Sequence, residues 1–160
     1  MNLHEIKFTL RVFANTTELS QEDAALFSAA KNALNDSYSP YSGFKVAAAV
    51  LLQNGKTLTG TNQENAAFPV GICAEGTVLS ACSALHPDVG IKKIAITVKS
   101  SSHTIKQPVA PCGICRQRLL EYESRFSSPI EILMMGEEGE VYSVASVKDI
   151  LPLHFSKEVL

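Results

Sequence analysis

Three of the four cysteines stand where two helices are predicted to begin, and this placement constrains the fold more than any other feature. Cys73 comes two residues before Glu75 at the start of one helix, and Cys112 and Cys115 form a C-x-x-C pair at the start of the next. Three thiolates suit a tetrahedral metal whose fourth position stays open to water, as in catalytic zinc sites. A fold that uses them together must bring both helix starts to one point.

The other candidates for a fourth metal ligand are weaker. Cys82 lies nine residues beyond Cys73 on the apolar face of the same predicted helix, so we expect a buried small hydrophobe. The histidines have no ligand spacing: His4, His86, His103 and His154. A structural zinc site needs four ligands, and a thioredoxin-like redox pair would leave Cys73 and Glu75 without a role.

Glu75 is the candidate base of this constellation. A lone carboxylate in the first turn of a helix can simply complement the helix dipole. Beside a three-thiolate metal site, a carboxylate that is not a ligand is placed to handle the protons of water. Three thiolates on Zn²⁺ leave one excess negative charge, which two helix N-termini offset in part, at about half an elementary charge each.

Composition indicates one globular domain with no affinity for polyanions. The chain has 160 residues, of which 46% are hydrophobic and 19% charged, and its net charge is −2. This excludes disorder and gives no basic field for nucleic acid or an anionic membrane. The longest apolar run, residues 46–52, is far below the ~20 residues that span a bilayer. With no secretory signal visible, we expect a cytoplasmic protein with reduced thiols.

Strands alternate with helices from residue 46 onward, which indicates an α/β layered sheet. Asn54-Gly55 predicts a hairpin. Strands are predicted at residues 46–53, 56–61, 91–99, 130–135 and 141–144, and helices at 21–37, 74–85, 113–125 and, as a final turn, 147–151. Alternation over residues 6–12 predicts an additional N-terminal strand. We therefore expect an N-terminal extension, residues 1–20, and a single domain, residues 21–160.

The cysteine motifs resemble those of the small, homotetrameric, three-cysteine cytidine deaminases. Zinc deaminases carry a metal ligand, then x-Glu, then Pro-Cys-x-x-Cys, and the matching segments here are Cys73-Ala-Glu75 and Pro111-Cys112-Gly-Ile-Cys115. Residues 38–46, 60–66, 115–117 and 151–155 are also similar, so the resemblance covers residues 21–156. It implies a three-layer α/β/α sandwich around a mixed, roughly five-stranded sheet, with the extra N-terminal strand.

The resemblance also implies an activity, the hydrolytic deamination of cytidine and 2′-deoxycytidine to uridine and 2′-deoxyuridine in pyrimidine salvage. One Zn²⁺ per subunit, held by Cys73, Cys112 and Cys115, would activate water. Glu75 would pass a proton to N3 of the base and then to the departing ammonia. Two alternatives stay open: deamination of another aminopyrimidine nucleoside, such as a blasticidin-type drug, and a non-catalytic zinc-structured module. The net charge of −2 disfavours polynucleotide editing.

Substrate contacts follow from the same resemblance. Asn62 and Glu64 would hydrogen-bond the ribose 3′-hydroxyl, because an amide can donate and a carboxylate can accept. Phe44 would pack on the pyrimidine ring. Backbone groups of Ala74 and Ala110 would bind the edge of the base. The expected partner is thus a free pyrimidine nucleoside.

The family's homotetramers have composite sites, which extends the implied site to a neighbouring copy. Ala66, Phe68 and Phe155 would reach the neighbour's site, with Phe155 stacking on its base. Phe68 stands where a tyrosine is common in the family. Tyr38 and Tyr41 are interpreted as packing and turn residues.

One departure from the family pattern lies beside the metal ligands. The family usually has an arginine after the catalytic glutamate, bonded to a thiolate, and this chain has Gly76 there. Gln117 can still donate to a thiolate, and Arg116 carries charge nearby. We expect either a weaker or more pH-dependent enzyme, or an arginine supplied from elsewhere in the chain.

Overall fold

A six-stranded mixed sheet lies between one helix on one face and two helices on the other. The computed structural model describes residues 1–160. The elements are β1 (Arg11–Phe13), α1 (Gln21–Ala33), β2 (Phe44–Leu52), β3 (Thr57–Thr61), α2 (Ala74–Leu85), β4 (Ile91–Ser100), α3 (Gly113–Phe126), β5 (Glu131–Met135) and β6 (Val141–Val144). Their order across the sheet is β1-β6-β5-β4-β2-β3, and only β4 and β5 pair in parallel. None of the helices is both long and apolar enough to span a bilayer.

The central strands are buried on both faces, which confirms the predicted three-layer arrangement. In β2, Ala48 and Val50 belong to the core shared with α2 and α3, whereas Ala49 and Leu51 belong to the core shared with α1. Strands covered on both sides read as continuous apolar runs rather than alternating ones. This explains why residues 46–52 are apolar without being a membrane segment.

The first helix is shorter than predicted at its C-terminal end. Its start agrees with the prediction, because the Ser20 hydroxyl accepts the N–H of Asp23 at 3.2 Å as an N-cap. It ends at Ala33 rather than at residue 37, and residues 34–36 form a single 3-10 turn. The Ser37 hydroxyl instead donates to the side chain of Asn62 at 2.5 Å, which ties this turn to the chain after β3.

The predicted N-terminal strand at residues 6–12 is wrong in its extent. Only Arg11–Phe13 forms a strand, paired antiparallel with β6 from Arg11↔Ser143 to Phe13↔Val141. Because β6 has four residues and Arg11 already lies opposite Ser143, the register leaves only Val144 for a residue before Arg11, and residues 6–9 have no partner in β6. The apolar residues of that stretch are exposed: Ile6, Phe8 and Leu10.

Two glycines determine how β3 is connected to β2 and packed against α2. Gly55 adopts a φ of +81° in the predicted hairpin between β2 and β3, a conformation that glycine reaches without cost. At Gly60 in β3, a Cβ atom would lie 2.5 Å from the backbone nitrogen of Val78 and 2.8 Å from the carbonyl oxygen of Ala74. A glycine is thus required there for α2 to pack against β3. Helix α3 then forms the crossover between the parallel strands β4 and β5.

Candidate metal centre and substrate cavity

Two uncapped helix starts meet at the predicted metal site. Cys73 is the N-cap of α2 and Cys112 the N-cap of α3, and neither side chain accepts a hydrogen bond from its own first turn. The first-turn N–H groups and the positive end of each helix dipole are therefore directed at the cysteines. Such an environment favours the thiolate form of cysteine.

The three predicted ligands form one cluster. The sulfur atoms of Cys73, Cys112 and Cys115 all lie within 4.8 Å of one another, and those of Cys112 and Cys115 are 3.5 Å apart. Tetrahedral zinc with bonds of about 2.3 Å to sulfur requires sulfur–sulfur distances of about 3.8 Å. Both the donor chemistry and the spacing fit one zinc ion with small adjustments. Cys82 is fully buried in the core and is not part of the cluster, as expected.

The thiols differ in their electrostatic surroundings. The hydrogen bond from the Cys115 thiol is the main cause that lowers the pKa of Cys73 to about 6, and the positive charge of Arg118 contributes to this shift. The same hydrogen bond, together with burial, raises the pKa of Cys115. Of these two thiols, Cys73 is the one whose surroundings favour the thiolate form.

Glu75 lies in the first turn of α2, beside the three sulfur atoms but outside the cluster. Its side chain is buried and lines the adjoining cavity. Burial raises the pKa of this carboxyl above its usual value, because the charged form is poorly solvated. A carboxylate whose proton affinity is increased in this way is suited to accept and return a proton.

A cavity of about 580 Å³ opens over the cysteines. Its volume falls within the range of small-molecule sites, which are mostly apolar with a few placed polar groups. The predicted site residues that line it come from three chain segments: Asn62, Glu64, Phe68, Cys73, Ala74, Glu75, Ala110 and Cys112. The structure thus brings together the metal ligands, the candidate base and the two candidate ribose contacts.

Asn62 is held rigidly at the cavity wall by both ends of its amide. Its Oδ1 accepts the N–H of Val46 at 2.8 Å and the hydroxyl of Ser37 at 2.5 Å, and its Nδ2 donates to the carbonyl of Phe44 at 2.9 Å. An amide nitrogen carries two N–H groups. One N–H therefore remains to donate to a hydroxyl in the cavity.

Glu64 is preorganised in a similar way. Its carboxylate accepts the N–H groups of Tyr41 and Ser42, at 2.9 and 3.3 Å, and the hydroxyl of Ser42. The hydrogen bonds from the Ser42 hydroxyl and the Tyr41 N–H lower the pKa of Glu64, which remains ionised near neutral pH. A carboxylate that accepts three donors still has capacity for another, so Glu64 can accept from a bound hydroxyl.

Besides the buried ligand Cys115, four predicted site residues lie outside the cavity of the single chain. Phe44 is half-buried and does not line the cavity, and its carbonyl oxygen accepts a hydrogen bond from Asn62. Ala66 and Phe155 are exposed. The amide of Gln117 donates to the carbonyl of Phe155 at 2.9 Å, so one of its two N–H groups is used there.

Several cavity residues were missed by the sequence analysis. Tyr41 was assigned to a turn, yet it lines the cavity and packs edge-on against Phe68, with ring centroids 6.0 Å apart. Val46, Ile96 and Val109 form part of the apolar wall. Apolar residues in strands look the same in sequence whether they face a core or a cavity, so no signal distinguished them.

Comparison with known proteins places these features in a family. The family model described as "Cytidine and deoxycytidylate deaminase zinc-binding region" matches residues 20–127. A cytidine deaminase of Halalkalibacterium halodurans is 34% identical over 134 residues, covering 83% of this chain and 93% of the relative. One of Sporosarcina psychrophila is 35% identical over 136 residues, covering 84% of this chain and 92% of the relative.

Solved structures show the same fold. The crystal structure of a cytidine deaminase from Burkholderia pseudomallei superimposes with a TM-score of 0.73 at 35% sequence identity. The match covers 86% of this chain and 100% of that chain.

Proposed function

Because the chain belongs to the zinc-dependent cytidine and deoxycytidylate deaminase family, we propose that it hydrolyses the exocyclic C–N bond of cytidine and 2′-deoxycytidine. The products are uridine or 2′-deoxyuridine and ammonia. The observation that carries this function is the three-cysteine cluster beside a buried glutamate in a nucleoside-sized cavity. The chain is thus an enzyme with one zinc ion as cofactor.

In this proposal Cys73, Cys112 and Cys115 would hold the metal, and Cys73 and Cys112 also line the cavity. When bound, zinc supplies a Lewis acid that makes water reactive at neutral pH. The Glu75 carboxylate would take one proton from water and deliver it to N3 of the pyrimidine as the water oxygen bonds to C4. It would then carry the second proton of that water to the exocyclic amine, which leaves as ammonia when the C4–N bond breaks. Burial of Glu75 supports this role, since a raised proton affinity suits both steps.

The ribose and the base are bound by groups that are fixed before the substrate arrives. The remaining N–H of Asn62 donates to the 3′-hydroxyl, and the Glu64 carboxylate accepts from it. Backbone groups of Ala74 and Ala110 meet the edge of the base, and Phe44 packs toward its ring. Rigid contacts of this kind reduce the entropy lost on binding, which supports a nucleoside rather than a larger substrate.

The proposal extends to the assembly and the cellular setting. We propose a homotetramer in which Ala66, Phe68 and Phe155 complete the site of a neighbouring copy, with Gln117 positioning the segment of Phe155. The domain proper is residues 21–160, and residues 1–20 are an extension, in keeping with the family match at residues 20–127. A role in cytoplasmic pyrimidine salvage suits free thiol ligands, because the cytosol keeps thiols reduced.

The function is tested by Glu75→Gln, which keeps the shape of the side chain and removes its proton-carrying role. With cytidine as substrate, followed by loss of ultraviolet absorbance, we expect kcat to fall by about 10²–10⁴-fold. Zinc content should stay at one per chain, because Glu75 is not a ligand. Glu121→Gln, an exposed glutamate on α3, is the matched control and should leave kcat unchanged.

Wild-type activity that persists in Glu75→Gln would refute the assignment of the base. A wild-type protein that binds zinc but leaves cytidine intact would favour another aminopyrimidine nucleoside as substrate. A purely structural zinc module is disfavoured, because the cluster has three ligands and Cys82 lies in the core.

A further inference from the structure

The cysteine cluster carries an uncompensated charge. Three thiolates on a divalent cation leave one excess negative charge, and Cys115 is buried. An unbalanced charge that is partly removed from water is costly unless a counter-charge lies nearby. The helix N-termini at Cys73 and Cys112 offset part of it, so a cation close to the cluster would stabilise the metal-bound state.

Arg116 does not supply this cation. Its Nε donates to the carbonyl oxygen of Pro111 at 2.8 Å, and its Nη1 donates to that of Ile150 at 2.7 Å. These bonds fix the guanidinium on main-chain carbonyls behind the start of α3. Arg116 therefore links α3 to the segment after β6 through these hydrogen bonds.

Arg118 lies in a different position, against the first turn of α2. It follows Cys115 by three residues on α3, so the two side chains share a helix face. Its guanidinium occupies the space beside Gly76, where a Cβ atom would overlap Nη1 and lie 3.3 Å from Cζ. Gly76 directly follows Glu75 and is itself buried. The absence of a side chain at residue 76 thus creates the place that Arg118 fills.

The charge of Arg118 has no other partner within the chain. None of the eight ion pairs includes it. The side-chain hydrogen bonds of the other α3 arginines go to main-chain carbonyls: Arg116 to Pro111 and Ile150, and Arg125 to Pro87. An arginine held against a helix start without a carboxylate partner is available to the thiolates beside it.

We infer that Arg118 is the positioning cation of the metal site, and that Gly76 is the residue that admits it. The inference rests on the zinc site of the proposed function. Arg118 offsets the excess negative charge of the thiolates and retains the metal, without touching the substrate. Gly76 and Arg118 then act as a pair, because any side chain at residue 76 displaces the guanidinium.

The test measures zinc retention rather than activity. Zinc-loaded protein is mixed with the chromophoric chelator 4-(2-pyridylazo)resorcinol, and the rate of zinc transfer is recorded at low and high salt. We expect Arg118→Met to release zinc about 10–100-fold faster than wild type, the usual cost of losing a group that supports metal ligands. The difference should shrink in 1 M salt, where charges are screened within about 3 Å.

Two variants separate charge from structure. Arg118→Lys keeps the charge and should recover much of the retention. Arg125→Met removes an arginine charge near the other end of the same helix, where Arg125 donates to the carbonyl oxygen of Pro87, and should release zinc at the wild-type rate. Thermal unfolding of the metal-free Arg118→Met protein should match that of the metal-free wild type.

Gly76→Ala provides an independent check. Its Cβ would displace Arg118 and approach Cγ1 of Ile72 at 3.0 Å, so faster zinc release is expected. If both changes act through the guanidinium, the double variant Gly76→Ala/Arg118→Met should release zinc no faster than the faster of the two single variants.

Wild-type zinc release in Arg118→Met at low salt would overturn this inference and leave the proposed function standing. Additive effects of Gly76→Ala and Arg118→Met on the rate of zinc release would also overturn it. A wild-type protein that binds no stoichiometric zinc would overturn both the inference and the proposed function.

Discussion

At the scale of single residues, Asn62 stabilises the fold through its hydrogen bonds, in addition to its proposed contact with the substrate. It accepts from Val46 and Ser37 and donates to Phe44, which fixes the start of β2 against the chain after β3. Each such bond contributes about 0.5–1.5 kcal/mol net. One side chain therefore shapes the cavity wall before any nucleoside binds.

Asn62→Ala is expected to lower the free energy of unfolding by about 2–3 kcal/mol, because three hydrogen bonds are lost. Urea unfolding followed by circular dichroism measures this change. Asn65→Ala is the control, since Asn65 is exposed and accepts one bond, from the N–H of Ala67, and should cost about 1 kcal/mol or less. An equal loss of unfolding free energy in the two variants would contradict the stabilising role assigned to Asn62.

The candidate site residues could be predicted from the sequence where their role depends on spacing along the chain. Cys73, Glu75 and the C-x-x-C pair stand at helix starts, and local sequence fixes helix starts well. Gly76 was recognised as a departure, but Arg118 was not connected with it. The two residues meet only because α2 and α3 pack together, which is tertiary information that no local pattern contains.

At the scale of elements, a charge network attaches α1 to the sheet. Lys93 of β4 contacts Asp23 of α1 at 2.6 Å, Glu22 at 3.2 Å and Glu131 of β5 at 3.3 Å. Burial alone would lower the pKa of Lys93, but the hydrogen bond to Asp23 and the charge of Glu131 raise it. Its stabilising contribution is therefore complete below the ordinary pKa of 10.5 and is lost only as the pH rises through the raised value.

Lys93→Met leaves the nearly buried carboxylate of Asp23 without a cationic partner, whereas Glu22 keeps Lys92 and Glu131 keeps Arg11. We therefore expect the free energy of unfolding at pH 7 to fall by about 3 kcal/mol. The folded variant then binds protons more readily than its unfolded chain. The loss of unfolding free energy relative to wild type should therefore shrink as the pH falls toward 4. Urea unfolding at both pH values measures this. The control Lys92→Met removes an exposed lysine that contacts Glu22 alone and should change stability by about 1 kcal/mol or less at either pH.

Element types were predicted better than element limits. Bounds of α2 agree with the prediction because the Cys73 start and the turn after Leu85 are both local signals. The strand at residues 6–12 failed because period-two alternation reports a strand-forming tendency but not the length of the partner strand. Only the four residues of β6 decide how much of that stretch can pair.

At the scale of the whole molecule, large apolar side chains are exposed near the cavity and in the C-terminal segment. Phe68, Ile114, Leu153 and Phe155 are 74, 70, 92 and 61% exposed. Exposed apolar groups in such number favour burial against another protein surface. This supports the proposed assembly of identical subunits.

Light scattering on the purified protein should give a mass near four times 17.2 kDa. Phe155→Ala should raise KM for cytidine, because its ring is proposed to reach a neighbouring site, while the free energy of unfolding stays close to wild type. Val159→Ala, another exposed apolar residue of the same terminal segment, is the control. A fully active monomer would contradict the composite site.

The pairing of β1 with β6 also determines the order in which the chain can fold during synthesis. β1 spans residues 11–13, whereas its only partner begins at residue 141. The cysteines at residues 73, 112 and 115 therefore leave the ribosome well before the N-terminal strand can find its place. All three candidate metal ligands are thus synthesised before the partner of β1, and the first strand made is among the last to be paired.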